Sequence, residues 1–179
     1  GVTEIGKSAF GGCDSLESIV VDSNNKVYDS RNNCNAIIHT ESNTLIAGCK
    51  NTIIPDGVTE IGRSAFDGCK SLTEIVIPEG VTEIDESAFW GCTSLTSIVI
   101  PDSVTEIGDS AFTYCSSLKS IVIPDSVKKI HTFAFSDCVN LQSVRFSRHL
   151  TYIGVGAFMS CEQLKDLVLP DTLTVISVR

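Results

Sequence analysis

Apolar residues recur along this 179-residue chain with a period of 23, and the polar positions between them keep the same period. Self-similarity at such a spacing marks a solenoid, in which each repeat is one supersecondary unit that buries its apolar face on its neighbours. Full units begin at Val2, Val58, Val81, Val104, Val127 and Leu150, and a truncated one begins at Leu173. Numbering columns from those residues, columns 1 and 4 hold Val or Leu and Ile. Column 8 is Ala, column 9 Phe and column 12 Cys in every full unit, column 15 is Leu, and columns 18 and 20 are mostly Ile. All five prolines (Pro55, Pro78, Pro101, Pro124 and Pro170) fall in column 21, closing runs such as Ile75-Val76-Ile77-Pro78.

Alternation over columns 18–20 predicts a half-buried strand with column 19 facing outward. Residues 64–69 predict a single helical or 3₁₀ turn with Ser64 as its N-cap. Column 5 is Gly6, Gly62, Gly108 and Gly154, with Asp85 and His131 in the other two full units. Asp and His are enriched at positive φ, so this column is expected to be left-handed. Coils stacked at about 4.8 Å per strand would build a parallel sheet and a continuous Phe-Leu-Ile core, each Phe walled by the next, over about seven to eight coils.

Residues 22–57 break the period, and seven of the eight asparagines lie between Asn24 and Asn51. The runs Ala36-Ile37-Ile38 and Leu45-Ile46-Ala47 flank Thr40-Glu41-Ser42-Asn43, which predicts a hairpin with a loop of about four to five residues. The chain therefore reads as one domain over 1–179, regular over 2–21 and 58–179 and irregular over 22–57. Neither end has the polar outer face of a solenoid cap, so a longer parent protein is expected.

The recurring Val-Thr-Glu-Ile-Gly-x-Ser-Ala-Phe-x-Gly-Cys-x-Ser-Leu-x-x-Ile-Val-Ile-Pro-Asp resembles the 23-residue leucine-rich repeat of BspA-type surface proteins. The interruption, from Tyr28-Asp29-Ser30-Arg31 to Ala47-Gly48-Cys49-Lys50, is similar to a module that recurs in that family. The resemblance implies a right-handed leucine-rich-repeat solenoid, mainly β with short helical or 3₁₀ turns. It also implies an exported bacterial protein, at the cell surface or extracellular, linked to attachment and protein binding. No catalytic residue transfers with it.

Composition narrows the chemistry. A formal charge of -9 argues against a nucleic-acid binder, which needs a basic stripe to neutralise phosphates. No apolar stretch approaches the roughly 20 residues that span a bilayer, and no signal-peptide pattern opens the chain. Six of the eight cysteines occupy column 12 without C-x-x-C pairs or accompanying histidines, which points to a buried thiol ladder rather than a zinc site or a disulfide framework. Cys34 and Cys49 lie in the irregular segment, where their state stays open. Gly62-Arg63-Ser64-Ala65-Phe66 ends in Phe where a nucleophile elbow needs Gly, and His39, His131 and His149 fall in different columns. Neither an enzyme, a metal nor a cofactor is expected.

Three surfaces stand out. The outward column reads Val20, Val76, Val99, Val122, Arg145 and Val168, an apolar stripe that fits either β-propensity or a partner. Lys128, Lys129, Arg148 and His149, with Tyr152, interrupt the acidic column of Glu60, Glu83 and Glu106, as relief of acidic crowding or as a site for an anionic partner. The hairpin loop Thr40, Glu41, Ser42 and Asn43 is the third. The expected function is non-enzymatic binding or adhesion through the sheet face, to a host or neighbouring-cell protein or glycan. A structural spacer without a ligand of its own is the alternative, and unprotected ends leave end-to-end self-association open.

Overall fold

The computed structural model describes residues 1–177. The irregular segment supplies β1 (Tyr28–Asp29), a 3₁₀ turn at Arg31–Asn33, β2 (Ala36–His39) and β3 (Thr44–Gly48). The coils then follow with β4 (Glu60–Ile61), β5 (Glu74–Val76), β6 (Glu83–Ile84), β7 (Ser97–Val99), β8 (Glu106–Ile107) and β9 (Ser120–Val122). The series closes with β10 (Lys129–Ile130), β11 (Ser143–Arg145), β12 (Tyr152–Ile153) and β13 (Val175–Ile176).

The long sheet is built from columns 3–4, not from the apolar run before proline. Its order is β1-β2-β3-β4-β6-β8-β10-β12-β13, with β1, β2 and β3 antiparallel and every later pair parallel. Columns 17–19 form a second side as two pairs, β5 with β7 and β9 with β11. Short pairs suffice because each coil is also tied to the next through its turns. The Phe66 amide donates to the Ala88 carbonyl at 2.7 Å, Phe89 to Ala111 at 2.8 Å and Phe112 to Ala134 at 2.7 Å.

Of the helical or 3₁₀ turn expected over 64–69, the structure keeps the 3₁₀ hydrogen-bond span as successive turns, without a helix. Ala65 donates to Gly62, Asp67 to Ser64, Cys69 to Phe66 and Leu72 to Cys69, all spanning three residues, at 3.0–3.1 Å. Ser64 is no N-cap: it sits at φ 56°. The left-handed columns are 7 and 11. Ser8, Ser64, Ser87, Ser110, Phe133 and Gly156 fill the first, and Gly12, Gly68, Gly91, Tyr114, Asp137 and Ser160 the second, all with positive φ. Column 5, expected to be left-handed, is not. Three of its glycines, Gly62, Gly108 and Gly154, answer to close packing between coils: a Cβ on Gly108 would stand 2.7 Å from the Asp85 carbonyl carbon and 2.8 Å from the Glu86 nitrogen, whereas nothing lies within 4 Å of a Cβ on Gly6.

Column packing otherwise follows the pattern. Val81, Ile84, Ala88, Phe89, Cys92 and Leu95 are all fully buried, as are their equivalents one and two coils on. The Phe66, Phe89, Phe112, Phe135 and Phe158 rings stack within 6° of parallel at 5.0–5.3 Å. The core is not continuous to the first unit, however. Ile19, Tyr28, Ile37, Ala47 and Cys49 make a separate cluster, and Phe10 and Cys13 are exposed. The hairpin displaces the first unit from the ring stack, with Gly48 lying against the Phe66 ring where a further Phe would sit. About five coils of 23 residues therefore form the regular stack, fewer than the seven to eight expected from counting units.

Candidate binding surfaces

The outward stripe stands as expected on the β5–β7 and β9–β11 side. Val76 is paired in register with Val99, and Val122 with Arg145. Exposures of 78% for Val76, 72% for Val99 and 50% for Val122 contrast with fully or nearly buried Ile75, Ile98 and Ile121 beside them. Val168 is 85% exposed but lies outside any strand. Ile53, at 73% exposure, extends the row beyond Val76. Counting back from Pro55 puts Ile53 in column 19, a signal present in the sequence but hidden because residues 22–57 read as outside the repeat. Val20, also exposed, is separated from Ile53 by the hairpin segment.

The long sheet carries the acidic column. Glu60, Glu83 and Glu106 are adjacent in the parallel register, followed by Lys129 and Tyr152. Its two ends are compensated. Glu60 accepts the Thr44 hydroxyl at 3.1 Å, while Glu106 accepts Lys129 Nζ and His131 Nε2, each at 2.8 Å. Burial works against the Glu106 carboxylate, but these bonds and the charges of both partners hold it below the usual range. In the middle, burial and then the charges of Glu60, Asp85 and Glu106 push the Glu83 carboxyl above its ordinary value. A carboxyl with a raised folded-state pKa costs the fold stability when ionised, and that cost fades as pH falls through the raised pKa. Glu83→Gln is therefore expected to raise Tm at pH 7, with the gain over wild type disappearing below about pH 4. Thermal melts at both pH values check this, and no gain at pH 7 contradicts it.

The basic residues do not form one free patch. Lys129 lies in register with Tyr152 and is bound to Glu106. Arg148 instead turns to Asp125: its backbone amide donates to Oδ1 at 2.9 Å and its Nε to Oδ2 at 2.8 Å, with Nη2 also on Oδ2. Hydrogen bonding from Arg148 takes Asp125 down to about 2. The His149 Nδ1 donates to the Asp125 carbonyl at 3.0 Å. Lys128 has an exposed side chain, and its carbonyl accepts the Thr151 amide.

The hairpin has the four-residue loop 40–43, with His39 opposite Thr44. Most of its polar groups are engaged within the fold. The Thr40 amide and hydroxyl donate to the Val27 carbonyl, and Arg31 Nη1 donates to Asn43 Oδ1 at 2.8 Å. Ser42 Oγ bonds both His39 Nδ1 and Thr44 Oγ1 at 2.8 Å. The Thr59 amide and hydroxyl donate to the Asn43 and Ser42 carbonyls at 3.1 Å, tying the loop to the next coil. Glu41 is left exposed. The loop docks the irregular segment onto the stack.

Column 12 is a ladder of free thiols. The Cys92 sulfhydryl donates to the Phe66 carbonyl at 3.2 Å, Cys115 to Phe89 at 3.3 Å and Cys138 to Phe112 at 3.2 Å. Burial pushes Cys92 and Cys115 well up and takes Cys138 to about 12, so these thiols are poor nucleophiles. Cys34 and Cys49 are buried and free as well, whereas Cys13, expected in the buried ladder, is exposed although its turn still bonds the next coil, the Gly12 amide donating to the Asp67 carbonyl at 3.0 Å.

Stacked 23-residue coils with a fixed Phe-Cys-Leu interior define a leucine-rich-repeat solenoid. The chain belongs to the BspA type leucine rich repeat region family, whose model matches six copies over residues 1–92, 45–127 and 83–179. Among solved structures, it is similar to a leucine rich cell surface protein of Faecalibacterium prausnitzii, at 32% identity and a TM-score of 0.79, covering 92% of this chain and 44% of that one. A leucine-rich repeat protein of Eubacterium ventriosum matches at 28% identity and a TM-score of 0.69, over 97% and 53% of the two chains. One from Bacteroides ovatus matches at 29% and 0.64, over 94% and 47%. The chain thus spans about half the length of these proteins. No curated protein matches it.

Proposed function

We propose that this chain is a non-enzymatic binding module of an exported bacterial surface protein, recognising a protein or glycan through the side that carries the valine stripe. One observation carries the reading: Ile53, Val76, Val99 and Val122 form a row of side chains at least half exposed on consecutive coils, over a core that already buries every other apolar column there. Contiguous apolar surface of this kind favours partner contact, and a rigid ladder presents it with little ordering cost. The cell-surface relative from Faecalibacterium prausnitzii supports an exported setting. The basic residues and the hairpin loop are weaker candidates, since Lys129, Arg148, Asn43 and Ser42 are held by internal bonds. End-to-end association through exposed Val2, Phe10, Leu167 and Leu169 belongs to the same reading as a secondary contact.

The test uses the whole chain, immobilised and screened against purified host matrix proteins and a glycan array. The triple change Val76→Ser, Val99→Ser and Val122→Ser is expected to leave Tm within a few degrees and to weaken any bound ligand by about tenfold or more. Unchanged binding in that variant, or no ligand at all, favours the spacer role.

A further inference from the structure

The stripe borders a groove whose lining decides the chemistry of its partner. Ile53, Val76 and Val99 lie in it together with Asp56, Glu74 and Glu79, and among the described residues no lysine or arginine lines it. None of these three carboxylates takes part in the ion pairs found among the described residues, which use Asp14, Glu17, Asp29, Glu86, Glu106 and Asp125. The groove therefore joins an apolar floor to an uncompensated acidic rim, in a chain of formal charge -9.

Spacing selects the shape of the occupant. The coils repeat every 5.0–5.3 Å, read from the stacked phenylalanine rings. An α-helix lying along the stack returns one face every turn, about 5.4 Å. An extended strand returns one face every second residue, about 6.6 Å, and falls out of step within two coils. Four coils from Ile53 to Val122 correspond to about three helical turns, or roughly 11 residues. At the far end the stripe changes to Arg145, paired with Val122. A helix with its N-terminus over Asp56 and Glu79 and its C-terminus toward Arg145 sets both ends of its dipole against opposite charge.

We infer that this face takes an amphipathic, cationic α-helix of a partner protein, with apolar residues on the stripe and Lys or Arg on the Asp56, Glu74 and Glu79 rim. The inference rests on the binding-face reading above. It is tested on the whole chain by fluorescence anisotropy with labelled synthetic peptides of about 18 residues, some five turns. One carries Leu at every third or fourth position with Lys between. Its controls replace Lys by Glu, insert two central prolines, or scramble the order.

The Lys helix is expected to bind about tenfold or more tighter than each control. Asp56→Lys with Glu79→Lys should weaken it about tenfold. Glu41→Lys with Glu83→Lys, the same charge change placed on the hairpin loop and the long sheet, neither of them lining the groove, should leave it within about twofold. Equal binding of the proline or scrambled peptide overturns the inference, as does an equal loss in the two charge-reversed variants. If the serine triple variant loses a ligand found in the surface screen while the peptide arms fail, the face binds but its partner is not a cationic helix.

Discussion

Phe112→Ala is expected to destabilise the protein by about 3–5 kcal/mol, the range for removing a fully buried aromatic ring. Phe112 is wholly buried, and its ring stacks on Phe89 at 5.2 Å and on Phe135 at 5.1 Å. Deleting it opens a cavity bounded by two other rings that cannot collapse, because each is held by its own coil's turn hydrogen bonds. A solenoid also has no remote core to fall back on, since each coil contacts only its neighbours. Loss in the middle should therefore uncouple the two halves as well as lower the midpoint. Urea unfolding followed by circular dichroism should show a lower midpoint and a reduced m value. Phe10→Ala provides the contrast: with the Phe10 ring exposed and outside the stack, the expected cost is about 1 kcal/mol. Equal losses at the two sites would refute the ring stack as the main source of cohesion.

The second large effect is expected at Gly108, from a single added methyl. Gly108→Ala places a Cβ against the Asp85 and Glu86 backbone at 2.7–2.8 Å. Backbone cannot rotate aside as a side chain can, so the coils must separate locally. That strains the Gly108 amide bond to the Ile84 carbonyl, now 2.9 Å. Overpacking of this kind costs about 1–3 kcal/mol and sometimes more. Gly80→Ala is a matched comparison, because nothing lies within 4 Å of a Cβ there, although its φ of 108° brings backbone strain of its own. If Gly108 served backbone conformation alone, Ala would be accommodated, since its φ is not left-handed. Midpoints of denaturant unfolding for the two variants, together with hydrogen exchange at the Gly108 amide or its Ala replacement, separate coil contact from φ.

The candidate surfaces were legible to different degrees. The valine stripe follows from strand alternation, a rule of period two that needs only local geometry. Ile53 was in register but masked by the irregular segment. The basic residues could be counted, yet not their pairing: Arg148 reaches Asp125 and Lys129 reaches Glu106, each 23 residues away on the neighbouring coil. Side-chain reach across coils decides whether such charges face solvent or each other, and no column pattern states it. The hairpin loop 40–43 was legible as a turn between apolar runs, whereas its bonds to Thr59 and Arg31 were not.

By itself the sequence determined the 23-residue unit, its buried columns, the hairpin and the family resemblance, because burial of one face at fixed spacing is written directly into residue type. Only the tertiary structure decided which columns form the long sheet, why Gly62, Gly108 and Gly154 are glycine, and which carboxylates remain uncompensated. Those depend on the distance between successive coils. At 5.0–5.3 Å, that separation leaves no room for a Cβ at Gly108 and lets Lys129 reach Glu106, while Asp56, Glu74 and Glu79 stay outside the ion pairs among the described residues.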